Sequence, residues 1–188
     1  QMLHLQNNLD EKYLRDIWDK TLNTGRIYLY DHWGSLDGEV LSNRIRYLVR
    51  SCGVGWIVID HISIMISGME GGDERRLIDN LMTKLRSLSE ELNIGMLIVS
   101  HLRKPSDGRG HEDGRKITLN DVRGSGSISQ LSDFVIGLER NQQEDGETTV
   151  RILKARYKGS STGVATKLYY DKETGRLREC GSVVEEGF

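Results

Sequence analysis

Cysteine is scarce in this 188-residue sequence: there are only two, Cys52 and Cys180, and they lie far apart. Two scattered thiols form neither a disulfide framework nor a metal-ligand cluster, and they indicate a reducing compartment. No apolar run approaches the roughly 20 residues that a membrane helix needs, so we expect no membrane partner. The formal net charge is -2, and a surface for nucleic acid must therefore be a local patch.

A phosphate-binding loop is also missing. Nowhere does the sequence contain G-x-x-x-x-G-K-[ST], the loop whose backbone amides hold nucleotide phosphates. The glycines within 108–114 and 124–126 do not have this spacing. The first residue is Gln1 rather than Met. We interpret the chain as a piece of a longer one.

Apolar residues recur at helical spacing in three segments, and Asp10 and Asp73 stand where N-caps are expected. Other apolar runs favour buried strands, while tyrosines and β-branched residues favour an antiparallel pair near the end of the chain. The order predicts an α/β fold whose sheet is mainly parallel, flanked by helices, with antiparallel strands at one edge. The helices are expected at 10–22, 36–53 and 73–93, the strands at 26–31, 56–60, 95–101 and 131–140, and the pair within 147–177.

Three of the predicted strands end in polar residues: Asp60–His61, Ser100–His101 and Glu139–Arg140. Parallel sheets form active sites at the carboxyl ends of their strands, although strand ends also meet water and polar residues there need no function. Asp60 follows four apolar residues, and a carboxylate there can bind a water of a magnesium ion that is held against phosphates. His101 is able to contact a terminal phosphate, and a structural histidine is the alternative.

Two polar segments come next. Residues 103–116 mix five cations with three acids, which suits either a loop that follows a phosphate backbone or an ordinary solvated loop. In residues 121–133, glycines alternate with hydroxyl residues beside Arg123, which leaves backbone N–H groups open to an anion. A flexible turn before a helix is the alternative there.

Lys154 and Arg156 are two residues apart in a predicted strand and therefore share a face. Two adjacent cations repel each other unless an anion lies nearby, which points to a phosphate supplied by another molecule. The alternative is a pair of exposed charges that blunt a sheet edge.

Eight segments, taken in order, carry a resemblance to a known family: WIVIDHISI, DERRLIDNLMTKLRSL, LIVSHLRKP, HEDGR, DVRGSGSISQLSD, LERNQQ, RILKARYKG and YYDKETGRL. Together they resemble the helicase part of the primase–helicases of T-odd phages. These ring helicases are related to bacterial DnaB and mitochondrial Twinkle. The similarity runs over about residues 25–177. It implies a RecA-like fold and a hexameric replicative helicase that moves 5'–3' on single-stranded DNA, using Mg²⁺ with ATP or dTTP.

The resemblance also implies roles for individual residues. Asp60 binds magnesium and His101 senses the terminal phosphate. Arg156, with Lys154 beside it, reaches the nucleotide of the neighbouring subunit as an arginine finger. Arg140 and Tyr170 flank the base. The DNA-contacting positions are Arg103, Lys104, Arg109, Arg123, Gly124, Ser125, Gly126 and Gln130.

In this family the phosphate loop lies ahead of the region seen here, so the RecA-like domain is expected to be incomplete and the isolated chain inactive. Residues 1–24 are an N-terminal helical part of the core, 25–180 are the C-terminal part of the ATPase domain, and 181–188 are an acidic tail. The resemblance implies the host cytoplasm as location, with a primase domain and the replicative polymerase as further partners. A non-catalytic binding module and a recombinase-type ATPase remain alternatives.

Overall fold

The computed structural model describes residues 10–30, 38–66, 73–103, 110–111, 113–122, 126–141, 147–157 and 162–179. Its helices are α1 (Glu11–Thr21), α2 (Gly38–Cys52), α3 (Ile62–Ile66), α4 (Glu74–Leu92) and α5 (Ser127–Leu131), with a 3-10 turn at Leu119–Asp121. Its strands are β1 (Trp56–Ile59), β2 (Gly95–Ile98), β3 (Phe134–Arg140), β4 (Thr148–Ala155), β5 (Gly163–Asp171) and β6 (Arg176–Glu179). Within these residues, no helix has the length and apolar character to cross a bilayer.

The three helices that periodicity predicts are confirmed, and two of them begin at the expected caps. The Asp10 carboxylate accepts a hydrogen bond from the Lys12 N–H, and Asp73 accepts one from the Arg75 N–H, each at 3.1 Å. These bonds satisfy amides that have no partner within the helix. Helix α4 then ends at Asn93, whose φ of 52° is left-handed. Helix α1 contains no buried residue.

The strand predicted at 26–31 is wrong as far as the chain is described, because residues 26–30 form no strand. The apolar side chains of this segment are exposed, up to 82% at Leu29. A strand requires a hydrogen-bonded neighbour, and the described strands pair only among themselves. Residue 31 lies outside the described residues.

Strands β1 and β2 are parallel and in register from Trp56 opposite Gly95 to Ile59 opposite Ile98. Two further bonds extend the pairing past the strand ends: Val99 N–H to the Ile59 carbonyl at 2.9 Å, and Ile62 N–H to the Val99 carbonyl at 3.0 Å. The carboxyl ends of the two strands therefore lie side by side.

The antiparallel part is larger than the predicted pair. Strands β3, β4, β5 and β6 form a four-stranded sheet in that order. The strand predicted at 131–140 belongs to this sheet and makes no ladder with β2. A cavity of about 580 Å³ lies between β2 and β3, and residues 113–122 run against β3 through a bridge between Asp113 and Asn141.

The hydrophobic core lies between the parallel pair and the helices. Ile62, Ile78 and Leu85 are almost fully buried at its centre. Helix α4 contributes most of its apolar face, with five buried residues from Ile78 to Leu88. The spacing of these residues at three and four positions explains why one side of the helix is buried and the other is charged.

We expect Leu85→Ala to lower the free energy of unfolding by about 3 kcal/mol, because it removes a fully buried side chain and leaves a cavity. Leu97→Ala is the matched control, since Leu97 is 55% exposed, and its cost is expected to stay below about 1 kcal/mol. Urea unfolding of both variants measures the difference. Equal losses would contradict this description of the core.

Candidate functional site

Asp60 and His101 follow the carboxyl ends of β1 and β2, and both are exposed. The strand register brings these two ends together, as the parallel arrangement predicts. The His61 ring packs edge-on against His101, with 4.1 Å between ring centroids and 76° between ring planes. Asp60 and His101 therefore lie at one edge of the sheet rather than on opposite sides of the molecule.

The two segments predicted to contact DNA begin side by side in the described part of the chain. Leu102 and Val122 form an antiparallel bridge, and the Arg103 N–H donates to the Asp121 carbonyl at 2.7 Å. One segment starts directly after Leu102 and the other directly after Val122. Because His101 precedes Leu102, the expected phosphate sensor is covalently adjacent to this bridge.

Asp121 stabilises the base of these segments. Its carboxylate accepts hydrogen bonds from the Thr118 N–H at 2.8 Å and the Thr118 hydroxyl at 2.7 Å. Burial works to raise the pKa of Asp121, but these hydrogen bonds and the Arg115 guanidinium nearby hold that pKa below its usual value. The carboxylate is thus kept ionised as a structural acceptor.

The predicted glycine–serine segment continues into α5. Gly126 is the N-cap of this helix, and its carbonyl accepts the Gln130 N–H at 2.9 Å. Arg103 and Gln130 are exposed, as a contact with DNA requires. The remaining DNA-contacting predictions lie outside the described residues: Lys104, Arg109, Arg123, Gly124 and Ser125.

Lys154 and Arg156 share a face, as their spacing predicts. The Lys154 ammonium donates to the carbonyls of Ser129 at 2.5 Å, Gln130 at 3.2 Å and Ser132 at 2.9 Å. It thereby satisfies carbonyls at the C-terminal end of α5 that lack partners within the helix. Arg156 Nη2 donates to the Gln130 carbonyl at 2.7 Å, so both cations contact one oxygen.

The anion beside these cations is Asp133 of the same chain. Arg156 Nη1 lies 3.1 Å from Asp133 Oδ1, and Arg86 Nη1 on α4 donates to Asp133 Oδ2 at 2.8 Å. The chain thus supplies a negative charge beside the pair. The closeness of the two cations does not by itself require an external phosphate, and that phosphate stays a prediction. The bond to Asp133, together with one to Glu90, raises the pKa of Arg86.

Arg140 and Tyr170 lie near the other end of the antiparallel sheet. Arg140 pairs with Thr148, and Thr148 pairs with Leu168, two residues before Tyr170. Paired residues of antiparallel strands share a face, as do alternate residues of one strand. Arg140 and Tyr170 are thus on one face, about 12 Å apart when two strand spacings and two residues of rise are combined.

Glu139 stands at one of the polar strand ends, but its contacts are structural. It is 9% exposed and accepts hydrogen bonds from Arg151 at 2.7 and 3.0 Å and from the Ile117 N–H at 2.8 Å. The Arg151 guanidinium holds the pKa of Glu139 below its usual value, despite the opposing effect of burial. The carboxylate joins β3, β4 and the segment around Ile117.

We expect Glu139→Gln to lower the free energy of unfolding at neutral pH by roughly 3 kcal/mol, because Arg151 loses its buried partner. Glu147→Gln, which alters an exposed pair with Lys167, is the matched control and should cost less than about 1 kcal/mol. Denaturant unfolding of both variants provides the comparison.

The Glu139 effect should also depend on pH. A lowered pKa means that the carboxylate stabilises the fold above its unfolded pKa of about 4.3 and loses this effect as the pH falls through the folded value. The stability gap between the original chain and Glu139→Gln should therefore shrink at acid pH. A gap that is constant from pH 7 to below the folded pKa would contradict the ion-pair role.

The sequence assigned no individual role to three residues in this region: His61, Arg86 and Asp133. His61 directly follows the expected magnesium ligand. Asp133 ends the QLSD motif and stands one position before β3, opposite Arg156 if the β3–β4 register is continued by one residue. Arg86 carried no local signal, since it is 47 positions away from Asp133.

Comparison with known proteins identifies the family of this chain. A family model described as the DnaB-like helicase C terminal domain matches residues 3–179. The chain is 39% identical to the DNA helicase/primase of Enterobacteria phage T3 over 175 residues, covering 92% of the chain and 31% of that protein. It is 26% identical to the replicative DNA helicase DnaC of Bacillus subtilis over 194 residues, covering 94% and 42%.

The solved structure of a DnaB-like replicative helicase has a similar fold, with a TM-score of 0.72 at 19% identity, covering 91% of this chain and 41% of that one. The expected RecA-like α/β class is confirmed. The chain belongs to the family of DnaB-like helicase C-terminal domains, which favours a helicase over a recombinase-type ATPase. It spans less than half the length of either curated relative.

Proposed function

We propose that this chain is the C-terminal part of the motor of a ring-forming replicative DNA helicase. The motor hydrolyses a nucleoside triphosphate, ATP or dTTP, and moves 5'–3' along single-stranded DNA. The observation that carries this proposal is the path from Asp60 and His101 to the Leu102–Val122 bridge, where both candidate DNA segments begin. A change at the terminal phosphate is then able to shift these segments through neighbouring backbone groups.

A magnesium ion fits the edge where Asp60 lies. Mg²⁺ prefers oxygen ligands and commonly keeps several waters while one or two carboxylates and the phosphates hold it. Within the described residues there is no cluster of three or more metal-ligating side chains. The buried His61 Nδ1 and Ser63 Oγ have no hydrogen-bond partner and are available to that hydrated group. When bound, the magnesium neutralises phosphate charge.

The positions of the cations support a nucleotide site that is shared between two protomers. Arg140 stands at the end of β3, whereas Arg156 contacts Asp133 just before its start. Strand β3 has seven residues, so these groups are roughly 20 Å apart. One protomer is therefore expected to flank the base with Arg140 and Tyr170, while Arg156 serves the triphosphate of its neighbour.

The phosphate loop must come from another segment. Parallel sheets are usually covered on both faces, yet Trp56, Val58 and Leu97 are 72%, 64% and 55% exposed. Val58 and Leu97 are register partners, so these three residues form one apolar face. We infer that elements carrying the phosphate loop cover this face in the working domain.

The chain alone is expected to hydrolyse ATP no faster than buffer, because its sequence contains no phosphate-loop motif. Release of phosphate with Mg²⁺ and single-stranded DNA measures this, and an Asp60→Asn variant of the chain identifies any contaminating activity. Turnover comparable with that of the phage T3 relative, abolished by Asp60→Asn, would contradict the expectation.

The finger role is testable in a chimeric ring, defined as the phage T3 helicase/primase in which this chain replaces the region it matches. We expect Arg156→Ala to lower kcat about a thousandfold, because the arginine stabilises charge in the transition state. Nucleotide affinity should change by less than about threefold, since the ground state is bound elsewhere.

Arg76→Ala is the matched control, because Arg76 is an exposed arginine on α4 and should leave hydrolysis unchanged. A chimera without DNA-stimulated hydrolysis would contradict the motor function itself. Lost binding with retained hydrolysis in Arg156→Ala would contradict the finger assignment.

The remaining partners follow from the family. A primase domain and the replicative polymerase are proposed partners, and the host cytoplasm is the proposed location. The division at residues 24 and 180 also stays a proposal, and the tail 181–188 lies outside the described residues. A non-catalytic binding module is the second candidate function, favoured by the absence of the phosphate-loop motif from the sequence.

A further inference from the structure

The side chain of Arg156 is long and partly exposed, so it needs support to stay in one place. Arg156 is 37% exposed, and an unsupported arginine at such a position loses considerable rotamer freedom when it becomes ordered. Its guanidinium is fixed from two directions in this chain. Nη1 contacts the Asp133 carboxylate and Nη2 donates to the Gln130 carbonyl.

The Asp133 contact is supported by the backbone. The Arg156 N–H donates to the Asp133 carbonyl at 2.8 Å, which continues the β3–β4 ladder beyond Phe134 opposite Ala155. Asp133 and Arg156 are thus cross-strand neighbours whose side chains meet directly. Their separation is set by the ladder rather than by the flexibility of either side chain.

Asp133 is itself anchored by α4. Arg86 Nη1 donates to Oδ2 at 2.8 Å, the oxygen that Arg156 does not contact. Arg86 is only 26% exposed and is also fixed by Glu90 at 2.8 Å. The carboxylate is therefore clamped between two arginines, one on the helix of the core and one at the edge of the antiparallel sheet.

We propose that Asp133 is the positioning residue for Arg156: it holds Nη1 so that Nη2 is presented to the triphosphate of the neighbouring protomer. This inference rests on the proposed finger role. In this chain Nη2 donates to the Gln130 carbonyl at the end of α5. When Nη2 moves from the Gln130 carbonyl to the phosphate, the C-terminal end of α5 loses its contact with one cation. Because α5 continues the candidate DNA segment, this change of partner alters the helix to which that segment is attached.

The test is Asp133→Asn in the chimeric ring. The amide keeps the size of the side chain but loses the charge that holds the guanidinium. Small misplacements of a catalytic group cost up to about a hundredfold in rate, so we expect kcat to fall roughly tenfold to a hundredfold with KM within about twofold. Steady-state hydrolysis with saturating single-stranded DNA gives both constants.

Glu91→Gln is the matched control, because Glu91 on α4 also bridges two arginines, Arg46 and Arg50, and lies outside the Asp133 cluster. It should leave kcat unchanged. A double variant separates a positioning role from a purely structural one. If Asp133 acts only through Arg156, adding Asp133→Asn to Arg156→Ala should not lower kcat further.

Each outcome has a defined meaning. Retained kcat in Asp133→Asn, or an equal loss in Glu91→Gln, would overturn the positioning role. The same conclusion follows if Asp133→Asn lowers the residual hydrolysis of Arg156→Ala by its full factor. If Arg156→Ala alone keeps normal hydrolysis, the finger role of Arg156 is contradicted. This result differs from those that contradict only the positioning role of Asp133.

Discussion

The carboxylate of Asp133 is the point on which the arrangement of charged groups depends. Arg86 from the core helix α4 and Arg156 from the edge of the antiparallel sheet each contact one of its oxygens. Lys154 completes the junction by donating to carbonyls at the end of α5. Charge-assisted bonds of this kind are short and directional. A core helix and two strands thus meet at a single carboxylate, and Arg156 links this carboxylate to α5.

A second junction, the parallel pairing of β1 and β2, brings Asp60 beside His101. The Leu102–Val122 bridge then ties this edge to both candidate DNA segments. The two junctions are linked by the chain from Val122 to α5, which begins at the bridge and ends at Lys154 and Arg156. In the proposed function, this covalent connection carries the effect of a phosphate from one junction to the other. Such a route suits a motor in which neighbouring protomers hydrolyse in turn.

Much of this arrangement is accessible from the sequence, because local rules govern it. Periodicity and capping residues predicted α4, the parallel-strand rule predicted that Asp60 and His101 are close, and residue alternation predicted the shared face of Lys154 and Arg156. The failures are all non-local. The contact between Asp133 and Arg156 depends on a register that shifts between Val135 and Ile136, and the partners of Glu139 are set by tertiary packing. The strand expected at 26–31 lacked a neighbour in the described chain.

The central claim is that Arg156 acts on the nucleotide of an adjoining protomer while Asp133 holds it. The most direct measurement is the structure of the assembled chimeric ring with a non-hydrolysable triphosphate, Mg²⁺ and single-stranded DNA. We predict that Arg156 Nη2 donates to the terminal phosphate held beside the Asp60 and His101 of the next protomer, with Nη1 still on Asp133. An Arg156 that stays on the Gln130 carbonyl at every nucleotide-filled interface, with another cation on the phosphate, would contradict the account.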